Sequence, residues 1–121
     1  MEKAIVMVTT VGDEAQGNLI ARELVSRRHA ACVNMVPGVK SFYRWQGKVC
    51  CDTEFLLIIK TMEAEFEAVT AAIQELHSYD LPEILAFDIA QGEPQFLAWI
   101  AGSLDKEADF GDEDEDEDED G

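Results

Sequence analysis

The residues best suited to chemistry are concentrated between positions 77 and 83. This stretch reads HSYDLPE and combines an imidazole, a phenol and two carboxylates. His77 and Glu83 can together hold a metal ion or an anion, since imidazole nitrogen and carboxylate oxygen are both metal ligands. They can also form a general acid–base pair. A structural interpretation is equally open, because a charged histidine at a helix C-terminus suits the helix dipole. No nucleophile or cofactor motif accompanies the stretch, so we expect a protein that is not an enzyme.

The three cysteines make a weaker case for chemistry. An odd number with an adjacent pair, Cys50 and Cys51, is a poor disulfide framework, because neighbouring residues seldom meet the geometry of the bond. Cys32 lies in an apolar run and is expected to be an inert core thiol. Reduced thiols indicate a cytoplasmic protein. Glu54 and Lys60 stand at the two ends of another apolar run, where they serve packing or, across an interface, an ion pair.

Composition excludes two classes of partner. The 121 residues include 9 basic and 26 acidic ones, giving a net charge of −17, which argues against binding nucleic acid. No apolar run approaches the roughly 18 residues of a membrane-spanning helix. Residues 112–120 are all acidic, whereas every Lys and Arg precedes position 107. The sequence therefore predicts a folded domain at 1–104 and a disordered acidic tail at 105–121.

The elements that position the HSYDLPE stretch follow from hydrophobic patterning. Apolar, β-rich runs predict strands, and apolar residues three and four apart predict helices. Asp13 and Gln16 form a capping-box pattern, and Thr61 is placed to cap the second helix. The predicted strands cover 4–11, 30–46, 49–61 and 84–90, and the predicted helices run from 13 to about 28, from 61 to about 77 and from 94 to about 102.

This order of elements predicts an α+β protein with a ferredoxin-like βαββαβ fold and an extra C-terminal helix. Its four strands form one antiparallel sheet with helices on one face, and the first and third strands lie in the middle. The second and third strands form a hairpin around Gly47 that is too long for so small a sheet. Phe42, Tyr43 and Trp45 lie near its end, which favours burial of the hairpin against another copy of the chain.

The chain resembles the CutA divalent-cation-tolerance proteins over about residues 4 to 102. The resemblance rests on an ordered series of matches: Ala30-Ala31-Cys32-Val33-Asn34, Pro37-Gly38, Ser41, Tyr43, Trp45, Gly47, Glu54, Lys60-Thr61, His77, Tyr79, Pro82-Glu83-Ile84 and Trp99-Ile100. It implies a ferredoxin-like homotrimer, similar to the PII signalling proteins, whose long hairpins pair between subunits. Phe42, Tyr43 and Trp45 would then belong to the trimer interface.

The resemblance further implies a cytoplasmic protein that serves tolerance of divalent metals, copper (Cu2+) especially. Members that bind copper carry a cysteine at the end of the first strand and two adjacent histidines, and here Thr9 and Leu76 occupy two of those positions. His77, with Glu83 as companion, is the candidate metal site. The chain is expected to bind a divalent cation weakly, or a small ligand, at clefts between subunits. The alternative is a structural trimer that anchors another protein.

Overall fold

The computed structural model describes residues 2–106 as one four-stranded sheet with helices. Its elements are β1 (Ala4–Val11), α1 (Glu14–Ser26), β2 (Cys32–Trp45), β3 (Lys48–Met62), a 3₁₀ turn (Glu63–Glu65), α2 (Phe66–Leu76), β4 (Leu85–Asp88) and α3 (Pro94–Ser103). The strands pair antiparallel in the order β2-β3-β1-β4, with β1 and β3 in the middle. The ferredoxin-like fold with its extra C-terminal helix is thus confirmed, whereas most of the tail predicted at 105–121 lies outside the described residues.

The main core lies between the sheet and the helices α1 and α2. Successive side chains of a strand point to opposite faces, and alternate residues of β1 and β3 meet the two helices. A buried apolar side chain stabilises the fold by roughly 1.5–3 kcal/mol, so this layer supplies most of the stability. The apolar members of the layer are Ile5, Met7 and Val11 of β1, Leu57 and Ile59 of β3, Ile20 and Leu24 of α1, and Val69, Ala72 and Ile73 of α2.

Of the two predicted helix caps, one forms in part and the other does not form. The Asp13 carboxylate accepts from the backbone N–H of Gln16 at 2.8 Å, as predicted, but the Gln16 side chain does not return to Asp13 and so leaves the capping box half formed. Thr61 does not cap the second helix. Its hydroxyl donates to the carbonyl of His29 at 2.6 Å, and the chain makes a 3₁₀ turn before α2 begins at Phe66.

The second face of the sheet is covered only at one end. Ile100 and Leu104, in and just after α3, pack there against Met62, which corrects the expectation that every helix lies on one face. Beyond α3 this face is apolar and open in the described chain. Its half-buried members are Val6, Val8, Leu56 and Ile58, and Leu85 and Phe87 of β4 are 49% and 53% exposed.

The β2–β3 hairpin extends well beyond the sheet. Because β1 pairs with β3 only as far as Phe55, residues 39–54 form a two-stranded ribbon, hereafter the arm. A bulge between Val36 and Val39, with Gly38 at φ 76°, bends β2 where the arm begins.

The far end of the arm closes in a two-residue turn whose exposed surroundings are strongly apolar. Gln46 and Gly47 both have positive φ, as a type I′ turn requires. Phe42 and Trp45 are 69% and 62% exposed. Their predicted place in a trimer interface remains a prediction. No helix within residues 2–106 has the length and apolarity needed to cross a membrane.

Candidate functional site

His77 is buried at the C-terminal end of α2 and uses both ring nitrogens. It is only 8% exposed. Its Nδ1 accepts from the backbone N–H of Tyr79 at 3.0 Å, so Nδ1 carries no proton, and Nε2 donates to the carbonyl of Thr10 at 2.7 Å. The two partners therefore select the neutral ring with its proton on Nε2. To bind a metal, this ring must release one of them.

Tyr79 connects the HSYDLPE stretch to the base of the arm. Its phenol donates to Oε2 of Glu54 at 2.7 Å, and its ring lies 4.5 Å from the ring of His77. The hydroxyl also passes so close to Gly12 that a Cβ at that position would approach it to 3.2 Å. The hydrogen bond to Glu54, then burial and nearby negative charge, raise the pKa of Tyr79 to about 12. Glu54 is 7% exposed, so this contact is largely withdrawn from water.

Gln16 fixes the same stretch from the other side. Its side-chain nitrogen donates to the carbonyl of Leu76 at 3.0 Å, and its side-chain oxygen accepts from the backbone N–H of Ser78 at 2.7 Å. One amide group thus satisfies a carbonyl at the end of α2 and an N–H just after it. The first turn of α1 thereby holds the backbone on which His77 and Tyr79 are carried.

A second phenol–carboxylate pair lies entirely within the arm. The hydroxyl of Tyr43 donates to Oδ2 of Asp52. This bond is the largest cause that raises the pKa of Tyr43 to about 12. Both tyrosines of the chain therefore donate to carboxylates of β3, one from within the arm and one from outside it.

The two predicted metal ligands differ in their surroundings. Glu83 is exposed in the loop before β4, whereas His77 is buried and bonds to Thr10 and Tyr79. Within residues 2–106, no group of three or more His, Cys, Asp or Glu side chains is arranged to hold a metal ion. The assignment of His77 and Glu83 as metal ligands stays a prediction.

The remaining candidates from the sequence are spread over the molecule. Thr9 is fully buried, and its hydroxyl is one of two buried side-chain groups in the described chain that have no hydrogen-bond partner. All three cysteines are free thiols, with Cys51 exposed on the arm. Lys60 lies on the second sheet face with its Nζ 5.9 Å from the ring centre of Phe96.

Sequence reasoning missed the bonds that join Gln16 and Glu54 to the HSYDLPE stretch. The sequence pattern predicts only local roles for them, a helix cap for Gln16 and a strand end for Glu54. One signal was available for Glu54, since a carboxylate directly before a continuous apolar strand needs a donor if the fold buries it. Its donor, Tyr79, lies 25 positions away, and the pattern of the strand cannot identify it.

Comparison with known proteins gives one consistent result. Residues 5–103 match the family of the CutA1 divalent ion tolerance protein. The divalent-cation tolerance protein CutA of Thermus thermophilus is 45% identical over 95 residues, which cover 78% of this chain and 92% of that protein. The chloroplastic protein CutA 1 of Oryza sativa is 43% identical over 100 residues, 83% of this chain.

The chain spans only about half the length of that rice protein, since the match covers 56% of it. Among solved structures, CutA from Xylella fastidiosa is similar with a TM-score of 0.84 and 38% identity. That superposition covers 85% of this chain and 99% of the other. The likeness therefore extends over nearly all of the described fold.

Proposed function

The chain belongs to the CutA1 divalent ion tolerance family, and from this we propose that it serves tolerance of divalent metal ions, copper in particular, as a non-catalytic homotrimer. The observation that carries the homotrimer is the arm, which leaves the sheet as an isolated ribbon with exposed aromatic side chains. Two-stranded ribbons are marginal in water by themselves. Burial against neighbouring copies would stabilise the ribbon and cover its aromatic residues.

The open sheet face supports the same assembly. It presents Leu85 and Phe87 beside half-buried aliphatic residues, and Phe96 and Trp99 of α3 stack at 5.5 Å and are both about half exposed. Contiguous apolar surface of this kind marks an interface. We propose that the arm of one subunit, through Phe42, Tyr43 and Trp45, packs against its neighbour.

Sedimentation of the full chain at micromolar concentration tests the assembly. We expect the mass of three chains at physiological salt. The variant Phe42→Ser/Trp45→Ser is expected to shift the mass toward one chain, whereas the matched surface change Glu14→Ser/Arg22→Ser leaves it unchanged. A wild-type chain that sediments as a folded monomer would defeat the proposal.

For the ligand, we propose a divalent cation, Cu2+ first, bound weakly through His77 and Glu83 at a cleft between subunits, or a small molecule in the same cleft. His77 would have to give up a hydrogen bond to Thr10 or Tyr79 in order to coordinate, and that loss weakens the binding. Glu83 is exposed and is accessible to an ion from solvent.

Calorimetric titration with Cu2+ and Zn2+ tests the metal site. The chain ending at Asp109 retains every described residue and removes the acidic run at 112–120, which attracts cations without any folded site. His77→Gln is the sharpest variant, because its amide can still donate to the carbonyl of Thr10 but is a poor metal ligand. We expect saturable binding that His77→Gln and Glu83→Gln abolish. Heats that appear only with the acidic run present would refute the site and direct the search to small ligands or a protein partner.

We propose the cytoplasm as the location, in keeping with the three free thiols. Cell fractionation with antibody detection tests this, and recovery in an oxidising compartment would contradict it.

A further inference from the structure

In the part of the chain that the structure describes, one side-chain hydrogen bond connects the arm with the body of the protein, in addition to the strands β2 and β3 themselves. Beyond Phe55 the β3 strand has lost its β1 neighbour, and the bulge at Val36 to Val39 has bent β2. Backbone geometry alone therefore leaves the direction of the arm weakly fixed. Among residues 2–106, the bond from the Tyr79 phenol to Glu54 is the one side-chain hydrogen bond between the arm and the rest of the molecule.

This bond is located where it has most control over the arm. Glu54 pairs with Val39, the first residue after the bulge, so its carboxylate lies at the base of the arm. A bond further out would restrain only the tip, and one further in would restrain strands that the sheet already holds. Glu54 is 7% exposed, so little water is available to replace the phenol.

The segment that presents the phenol is itself held by three hydrogen bonds to two elements, β1 and α1. Its imidazole bonds to the end of β1, its backbone N–H at Ser78 bonds to Gln16 of α1, and its carbonyl at Leu76 accepts from the same Gln16 amide. The Tyr79 ring also packs against the His77 ring at an angle of 43°, and the Nδ1 of that ring accepts the Tyr79 N–H. The phenol is therefore a fixed point of the body, and the arm is what it restrains.

We infer that residues 76–79 are a latch that sets the direction of the arm and thereby controls the strength of self-assembly. The role in assembly rests on the proposed function, because it takes the arm as the part that meets neighbouring subunits. Tyr79 and Gln16 are positioning residues in this scheme. They act through Glu54 and need no contact with a neighbouring subunit. A group that competes for the Glu54 carboxylate must break the latch.

The matched pair of variants is Tyr79→Phe and Tyr43→Phe. Each removes one hydroxyl that donates to a β3 carboxylate, but only the first breaks the bond between body and arm. We expect Tyr79→Phe to raise the midpoint concentration of trimer dissociation at least tenfold in sedimentation, whereas the surface variant Glu14→Ser/Arg22→Ser should change it less than twofold. Because Tyr43 belongs to the proposed interface, Tyr43→Phe is compared with Tyr79→Phe by hydrogen exchange at Val39, at the base of the arm, where Tyr43→Phe should have little effect. Equal effects of Tyr79→Phe and Tyr43→Phe on that exchange would overturn the latch.

Two further measurements separate a latch from general stability. Glu54→Gln keeps an acceptor oxygen for the phenol and should stay near wild type, whereas Glu54→Leu should match Tyr79→Phe. Hydrogen exchange provides a readout that does not require assembly. Amides beside the bulge, at Val39 to Ser41, should exchange at least tenfold faster in Tyr79→Phe while those of β1 remain protected.

These outcomes distinguish the two proposals. If the wild-type chain is a monomer and its amides at Val39 to Ser41 lose protection in Tyr79→Phe, the restraint on the arm is supported, but the trimer and the role of the latch in assembly are refuted. If the wild-type chain is a trimer and Tyr79→Phe changes neither its dissociation nor its hydrogen exchange, the latch is refuted and the trimer is supported. Should Tyr79→Phe fail to fold, Gln16→Leu, which keeps the phenol but frees its backbone, must give the same loosening of the bulge amides. If these amides stay as protected in Gln16→Leu as in the wild type, the latch is refuted.

Discussion

Replacing His77 should show how much of the stability depends on its ring, which makes one hydrogen bond through each nitrogen. His77→Ala leaves the carbonyl of Thr10 without its donor and the N–H of Tyr79 without its acceptor. An unpaired buried group costs about 1–3 kcal/mol, and Thr10 is 8% exposed, so its carbonyl carries most of that cost. The lost contact with the Tyr79 ring adds about 1 kcal/mol. We therefore expect the free energy of unfolding to fall by about 3 kcal/mol in total.

His77→Gln separates the hydrogen bond from the ring. The glutamine amide can donate to Thr10, so about 1 kcal/mol should be lost, through the ring contact alone. Urea unfolding at one fixed subunit concentration measures both variants, because assembly makes stability depend on concentration. Equal losses for Ala and Gln would refute the accounting, since they would mean that the bond to Thr10 contributes nothing measurable.

Three further predictions concern the tyrosines and the arm. Both tyrosines have a folded pKa raised from 10.0 to about 12, so their contribution to stability is present below pH 10 and lost as the pH rises through 12. Absorbance at the phenolate band should accordingly show no step near pH 10, and a full step there would contradict the hydrogen bonds of Tyr43 and Tyr79. Gly38→Ala should destabilise by about 1–2 kcal/mol in urea unfolding, because φ is 76° at this position, and an unchanged midpoint would mean that the bulge relaxes freely. Gln46→Asn places Asn-Gly in the type I′ turn and should raise the free energy of unfolding by about a few tenths of a kcal/mol, whereas a lower urea midpoint would exclude that turn.

The sequence was sufficient where a structure depends on neighbours along the chain. The continuous apolar run at 4–11 has the same bounds as β1, and the bond from the Gln16 N–H to Asp13 is the predicted helix start. Local patterning also identified the central strands correctly, because β1 and β3 contain the two nearly continuous apolar runs and each pairs with a strand on both sides.

The sequence was insufficient where the hydrogen-bond partner of a polar group is a residue far away along the chain. The fourth strand was predicted at 84–90 but is limited to Leu85–Asp88. Leu85 pairs with Val8, and the Thr10 carbonyl further along β1 accepts from His77 instead of a strand amide. The Gln16 side chain likewise reaches Leu76, 60 positions away. Such contacts are decided by which elements the fold brings together, and helical or strand periodicity does not contain that information.

Because the arm is long, a small rotation at its base produces a larger displacement at its tip. Six residue steps separate Val39 from Trp45, which at about 3.3 Å per residue is roughly 20 Å of strand. A rotation of about 10° at the bulge would displace the tip by roughly 3.5 Å, comparable to the spacing between packed side chains. The arm is therefore a lever: a rotation that moves Glu54, about 5 Å from the bulge on the neighbouring strand, by roughly 1 Å displaces the aromatic residues at the tip by roughly 3.5 Å.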